Sequence, residues 1–329
     1  MKVLVTGSAG HLGEALVRVL ERTPRVEVLG LDLKPSPHTK IVGSIADREL
    51  VSGYMVGVNA IYHTAALHKP HVATHSNQDF IDTNISGTLN LLETAVANGV
   101  GSFVFTSTTS VFGDALRPPT GAPATWVTEE TALLPKNIYG VTKTAAEELC
   151  YLFHRRHGLS CIILRTSRFF PEADDDAAKR ERFADSNLKV IEFLYRRVEI
   201  EDAVNAHLLA AEKANELKFG RYIISATTPF RREDVVALNK AASQVLEREV
   251  PSYRDTFRTL EWRMLDQIDR VYDNAAARRD LGWAPRYDFR YVLERAKEGG
   301  GLFSELAGEI GLKGYHDQVF DEGPYPIQE

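Results

Sequence analysis

Glycines recur at intervals of three in Thr6-Gly7-Ser8-Ala9-Gly10-His11-Leu12-Gly13, between an apolar run at residues 2–6 and a stretch in which Leu12, Ala15, Leu16, Val19 and Leu20 fall at helical spacing. The order is therefore strand, tight turn, helix. Side chains at those three positions would obstruct the turn, the approach of an anion to the backbone and the packing of helix on sheet, while the first turn of the helix offers free N–H groups to a phosphate. A turn alone could do no more than reverse the chain. Asp32 narrows the reading: it ends the next strand-like run, residues 26–31, and stands 19 residues after Gly13. A carboxylate at that place accepts the hydroxyls of an adenosine ribose, so the pattern predicts dinucleotide binding. It also repels a 2′-phosphate, which favours NAD over NADP, with Lys34 partly offsetting the repulsion.

Further strand-like runs at residues 58–65, 103–106 and 161–164 alternate with helical stretches at 83–98 and 139–157, closed by Gly99 and Gly158. Such alternation implies an α/β fold of the Rossmann type, a doubly wound parallel sheet covered by helices on both faces. Beyond Pro171 the acidic patch Asp174-Asp175-Asp176 and the following charges read as a solvated loop. Helices are expected at 202–214, 233–246 and 274–281, a strand at 221–226, and a polar tail at the end. We expect a cofactor half over residues 1–170, with part of 197–226 packing back onto it, and a smaller α/β region, 171–329, that mainly binds substrate.

The 329 residues are 44% hydrophobic and 26% charged, ordinary for a globular chain, and the formal net charge of -6 gives no basic field for a nucleic acid. A small-molecule partner is expected instead. Cys150 and Cys161 fall in helix-like and strand-like apolar stretches, which suits core filling. Neither an export signal nor an apolar run of membrane-spanning length is visible, so no membrane partner is expected and the cytoplasm fits.

Tyr139 and Lys143 lie at i and i+4 on one helix face, after a strand that ends in Thr106-Ser107-Thr108-Thr109-Ser110. Those hydroxyls would emerge at the carboxyl edge of the sheet, where ligands of such folds bind. A phenol with an ordinary pKa of about 10 needs nearby positive charge to act as a base at neutral pH. Lys143 and an oxidised nicotinamide are expected to supply it.

With these residues the chain resembles the extended short-chain dehydrogenase/reductase family, particularly its nucleotide-sugar epimerases and dehydratases such as UDP-glucose 4-epimerase. The likeness runs through the glycine motif, His63-Thr64-Ala65-Ala66, Asn84 in Thr83-Asn84-Ile85-Ser86-Gly87-Thr88, the Tyr139/Lys143 pair, Val111-Phe112-Gly113 and Leu281-Gly282-Trp283-Ala284-Pro285. It implies catalytic roles for Thr108, Tyr139 and Lys143. Cofactor contacts are implied for Gly7, Gly10, His11, Leu12, Gly13, Asp32, Ser44, Ile45, Ala65, Ala66, Asn84, Thr106, Tyr139, Lys143 and Ser167. His68, Thr109 and Arg168 are substrate candidates; Arg168 replaces the asparagine of the family's Arg-x-x-Asn segment.

The resemblance implies an NAD-dependent oxidoreductase or epimerase acting on a hydroxyl of a sugar or nucleotide sugar, and a homodimer built on the two helices. A net dehydrogenase of a small sugar, sugar acid or alcohol is the alternative, and a non-catalytic dinucleotide sensor the alternative of another class. His68, His71 and His75 lack a thiolate or clear carboxylate partner, so no metal is expected. The proline-rich stretch 117–135 reads as a lid or as a rigid surface loop.

Overall fold

The computed structural model describes residues 1–174, 176–314, 318 and 320; Asp175 and most of the expected polar tail lie outside the described residues. Strands β1 (Lys2–Thr6), β2 (Glu27–Asp32), β3 (Ile41–Val42), β4 (Ala60–His63), β5 (Ser102–Thr108), β7 (Cys161–Thr166) and β8 (Phe219–Ile224) form a parallel sheet in the order β3-β2-β1-β4-β5-β7-β8. A smaller pair, β6 (Thr125–Val127) and β9 (Arg270–Tyr272), is also parallel.

The period-two alternation of each strand explains the two covered faces. Val3, Val5, Val104, Ile162 and Leu164 pack with helices His11–Glu21 and Ile200–Leu217, whereas Leu4, Ile61, Phe103, Phe105, Cys161 and Ile163 pack with helices Gly87–Ala97 and Ile138–His157. A third core joins Val271 of β9 to Leu238, Phe257, Phe289 and Leu293 of the C-terminal helices. Cys150 and Cys161 are buried and free, as core filling requires. Among the described residues no helix is long and apolar enough to cross a membrane.

Three expectations need correction. The helix expected over 83–98 begins earlier, at Asn77, and passes through a π segment, Ile81–Ser86, before Gly87–Ala97; Gly99 then turns with φ 66°. The acidic patch is only partly a solvated loop: Asp174 is only 4% exposed and ion-pairs with Arg196, while Asp176 is exposed and caps helix Ala177–Arg182. Counting charges missed the opposite charge that arrives from 22 residues further on. Within the proline-rich stretch, Thr125–Val127 pairs with β9, and Ala124 and Val127 are buried, so the segment is anchored in the C-terminal region.

Candidate active site

The carboxyl ends of β1, β4, β5 and β7 open onto a cleft of about 770 Å³. That size suits a dinucleotide and a second small molecule. Every residue given a catalytic, cofactor or substrate role from the sequence lines it except Asn84. Asn84 is 2% exposed and stands behind the wall, accepting from the Leu67 N–H and donating to Leu67 O and Thr142 Oγ1. It therefore ties the loop after β4 to the Tyr139 helix.

Two of the three glycines are required by the backbone itself. Gly7 has φ +75°, and a Cβ there would meet Ala65 N at 2.7 Å; one on Gly13 would fall 1.8 Å from Gly7 O. Around Gly10 the nearest obstacle is Gly7 O at 3.3 Å, so its bareness matters chiefly toward the cleft. Asp32 is aimed by two backbone donors, Ala9 N–H and Lys34 N–H, both at 2.9 Å. Ser167 Oγ is buried on the cleft wall without a hydrogen-bond partner among the described residues. A bare phosphate cradle, an oriented carboxylate and an unused hydroxyl fit a dinucleotide running from Asp32 to Ser167. Replacing Asp32 with Ala is expected to narrow the preference for NAD over NADP, read as the ratio of the two dissociation constants. Tighter NADP binding by the unaltered protein would refute the role given to Asp32.

At the other end, Tyr139 and Thr108 line the cleft together, and Thr108 Oγ1 accepts from Ser110 N–H at 3.1 Å and donates to Ser110 Oγ at 3.2 Å. Lys143, one turn on, has its Nζ 4.0 Å from the centre of the Phe105 ring. The electrostatics differ from the sequence expectation. Burial pushes the phenol up to about 12, offset only in part by Thr108. The same burial pulls the Lys143 ammonium down to about 7, against the opposing charges of Cys150 and Glu147. Without cofactor, then, desolvation outweighs the help that Lys143 was expected to give.

Lys143 also has a thermodynamic consequence. Between about 7 and its ordinary value of 10.5, the unfolded chain holds a proton that the folded chain has shed. Raising the pH over that window therefore favours the folded state, and below it the cost of burying the ammonium is fully present. In cofactor-free protein, Lys143→Met should melt higher than the unaltered chain near neutral pH, and the gap should close toward pH 10. Thermal melts at a series of pH values check this; a pH-independent gap would contradict it.

Behind this face is a buried ion pair that the sequence reading passed over. Glu147, one turn beyond Lys143, accepts from Arg165 Nη2 at 2.8 Å and from Ser107 Oγ at 2.6 Å. Ser107 precedes Thr108 on β5, so the pair ties the helix to the strand that carries the candidate hydroxyl. An arginine after the apolar run Cys161-Ile162-Ile163-Leu164 was the signal available.

His68 lines the cleft with its ring 5.9 Å from that of Tyr139, and it exchanges bonds with His71 across a short helical turn. Burial, with the charges of His71, Lys143 and His11, lowers its pKa to about 3, so it is neutral at working pH. His71 is turned toward His68 and His75. Thr109 and Arg168 are on the wall, but Arg168 Nη2 donates to the carbonyls of Glu172 and Ala173 at 2.8 and 2.9 Å, and its guanidinium lies over Phe170. The same loop meets the glycine turn, where His11 Nε2 is 2.9 Å from Glu172 Oε1.

Residues 3–225 match the family described as NAD dependent epimerase/dehydratase. The chain belongs to this family, and its cofactor is NAD. An uncharacterized UDP-glucose epimerase of Bacillus subtilis, YtcB, is 32% identical over 186 residues, 50% of this chain and 55% of that protein. The chain spans about half the length of several curated relatives it matches, YtcB among them. A 2-alkyl-3-oxoalkanoate reductase of Stenotrophomonas maltophilia is 28% identical over 333 residues, 90% of this chain and 98% of that protein. Among solved structures, a short-chain dehydrogenase/reductase superfamily protein of Agrobacterium tumefaciens with bound NAD has a TM-score of 0.63 and 26% identity, covering 91% of this chain and 96% of its own.

Proposed function

We propose that this family member oxidises a hydroxyl of a sugar or nucleotide sugar and, acting as an epimerase, returns the hydride to the opposite face. The observation that carries the proposal is that Thr108, Tyr139 and Lys143 line one end of the cleft whose other end is the glycine turn. Tyr139 takes the hydroxyl proton, Thr108 holds the reacting oxygen, and Lys143 supports the phenolate and the cofactor ribose. When bound, NAD supplies the hydride acceptor. His68 offers the substrate a neutral ring, and Thr109 and Arg168 complete the wall.

Residues 1–170 with part of 197–226 form the cofactor half in this reading, and most of 171–329 serves the substrate. The pairing of β8 with β7 supports that division. Val141 and Leu152, 47% and 37% exposed on helix Ile138–His157, support a homodimer through its outer face.

A second reading, net dehydrogenase or reductase, is favoured by the near full-length match to the 2-alkyl-3-oxoalkanoate reductase. A panel of sugars, nucleotide sugars, sugar acids, alcohols and 3-oxoalkanoates separates the two. An epimerase forms product without accumulating NADH, and a dehydrogenase forms NADH in step with product. Intact NAD binding with no turnover of any candidate would sink both and leave the dinucleotide sensor.

A further inference from the structure

In a chain of net charge -6, the cleft wall carries ten lysines and arginines against three aspartates. The surplus is placed for an anionic occupant. Most of the arginines on the substrate side are engaged with protein groups: Arg168 holds loop carbonyls, and Arg196 pairs with Asp174 and Glu192.

Arg270 differs. It opens β9, outside the residues matched to the family, and lines the cleft with Tyr272. Its Nη1 donates to both oxygens of Asp269, at 2.9 and 3.0 Å, and its guanidinium lies 5.7 Å from the centre of the Tyr195 ring. Among the described residues its Nε is buried with no hydrogen-bond partner. Nε and Nη2 form the edge of a guanidinium that meets a carboxylate or phosphate in two parallel hydrogen bonds. A charged donor buried and left unpaired is costly, and a ligand that completes it removes the cost. Asp269 leaves much of the positive charge uncancelled, since its side chain is 41% exposed and screened by water.

We propose that Arg270 anchors an anionic oxygen group of the substrate, a phosphate or a carboxylate, and so determines which sugars the enzyme accepts. This rests on the sugar-modifying reading above and names the chemical class of its substrate. Arg196, whose charge reaches Arg270, reinforces the same end of the cleft. Arg168 belongs instead to the loop that shapes it.

The test is calorimetry on NAD-saturated protein with UDP, inorganic phosphate and glucuronate, and with glucose as the neutral control. At least one anionic probe should bind and glucose should not compete with it. Arg270→Gln should weaken that probe tenfold or more and leave NAD affinity unchanged, and Arg270→Lys should fall between, because it keeps the charge and loses the paired edge. A response to UDP identifies a phosphate, and one to glucuronate a carboxylate. If Arg270→Gln loses NAD binding through misfolding, the lysine variant carries the comparison. The proposal is overturned if no anionic probe binds the unaltered protein, or if the folded variants bind the probe as tightly as it does. Anion binding that depends on Arg270 without turnover of any sugar would count against the proposed reaction alone.

Discussion

Tyr139→Phe is expected to cut turnover by about 10² to 10⁴, the usual contribution of a general acid or base, while leaving the fold and NAD affinity nearly intact. The substitution deletes one oxygen and keeps a ring that is 7% exposed and packed edge-on to His68. What it removes is the group placed beside Thr108 on the cleft wall to take the substrate proton. Burial alone holds that phenol near 12, so in the working complex its proton must leave with help from the bound cofactor's charge. Lys143→Ala should lower both NAD affinity and turnover, because that ammonium serves both. Thr108→Ala should retain more activity than Tyr139→Phe, since the base remains. Rates of the three variants on one identified substrate, beside NAD titrations, check the ranking. Turnover by Tyr139→Phe at the unaltered rate would remove the phenol from the chemistry and leave the dinucleotide site standing.

The parts of this site that were legible in the sequence are those in which geometry follows from a short spacing. Gly7 and Gly13 are three-residue arithmetic around one turn, and a side chain at either would strike the backbone at less than 3 Å. Tyr139 and Lys143 are one helical turn apart, and Asp32 ends the neighbouring strand. The alternation of strand-like runs with helical stretches likewise announced a sheet buried on both faces. The missed features join distant segments. Asp174 finds Arg196, Glu147 finds Arg165, and β6 finds β9 across more than a hundred residues. No local period encodes such pairings, so a charge run read as solvated and a proline-rich stretch read as a lid or a rigid surface loop. Asn84 is the converse case: the motif was recognised, but its amide is spent on Leu67 and Thr142. Arg270 had no local signal at all, because a three-residue strand leaves too little pattern to read.

Arg165→Met should be the most destabilising single change among these residues. The Arg165 and Glu147 side chains are 3% and 0% exposed, and the guanidinium also donates to Glu129 O at 2.9 Å. Methionine fills much of the space but leaves the Glu147 carboxylate inside the protein with Ser107 at 2.6 Å and the more distant Arg221 Nε at 3.6 Å. Removing one partner of a buried ion pair costs about 3–5 kcal/mol, since the other charge stays desolvated and uncompensated. For a chain of this size that corresponds to a fall in Tm of about 4–7 °C. The mechanism predicts its own rescue. Replacing both members with apolar residues of similar volume, Arg165→Met with Glu147→Leu, removes the stranded charge and should recover much of the lost stability. Activity need not follow, because the pair also holds the helix of Tyr139 and Lys143 against Ser107, the neighbour of Thr108. Melting curves of the single and double variants, with NAD titrations at a temperature where each is folded, separate the two effects. An Arg165→Met protein that melts with the unaltered chain would show that the pair contributes nothing net to stability, and a double variant less stable than the single one would place the cost in packing and not in the stranded carboxylate.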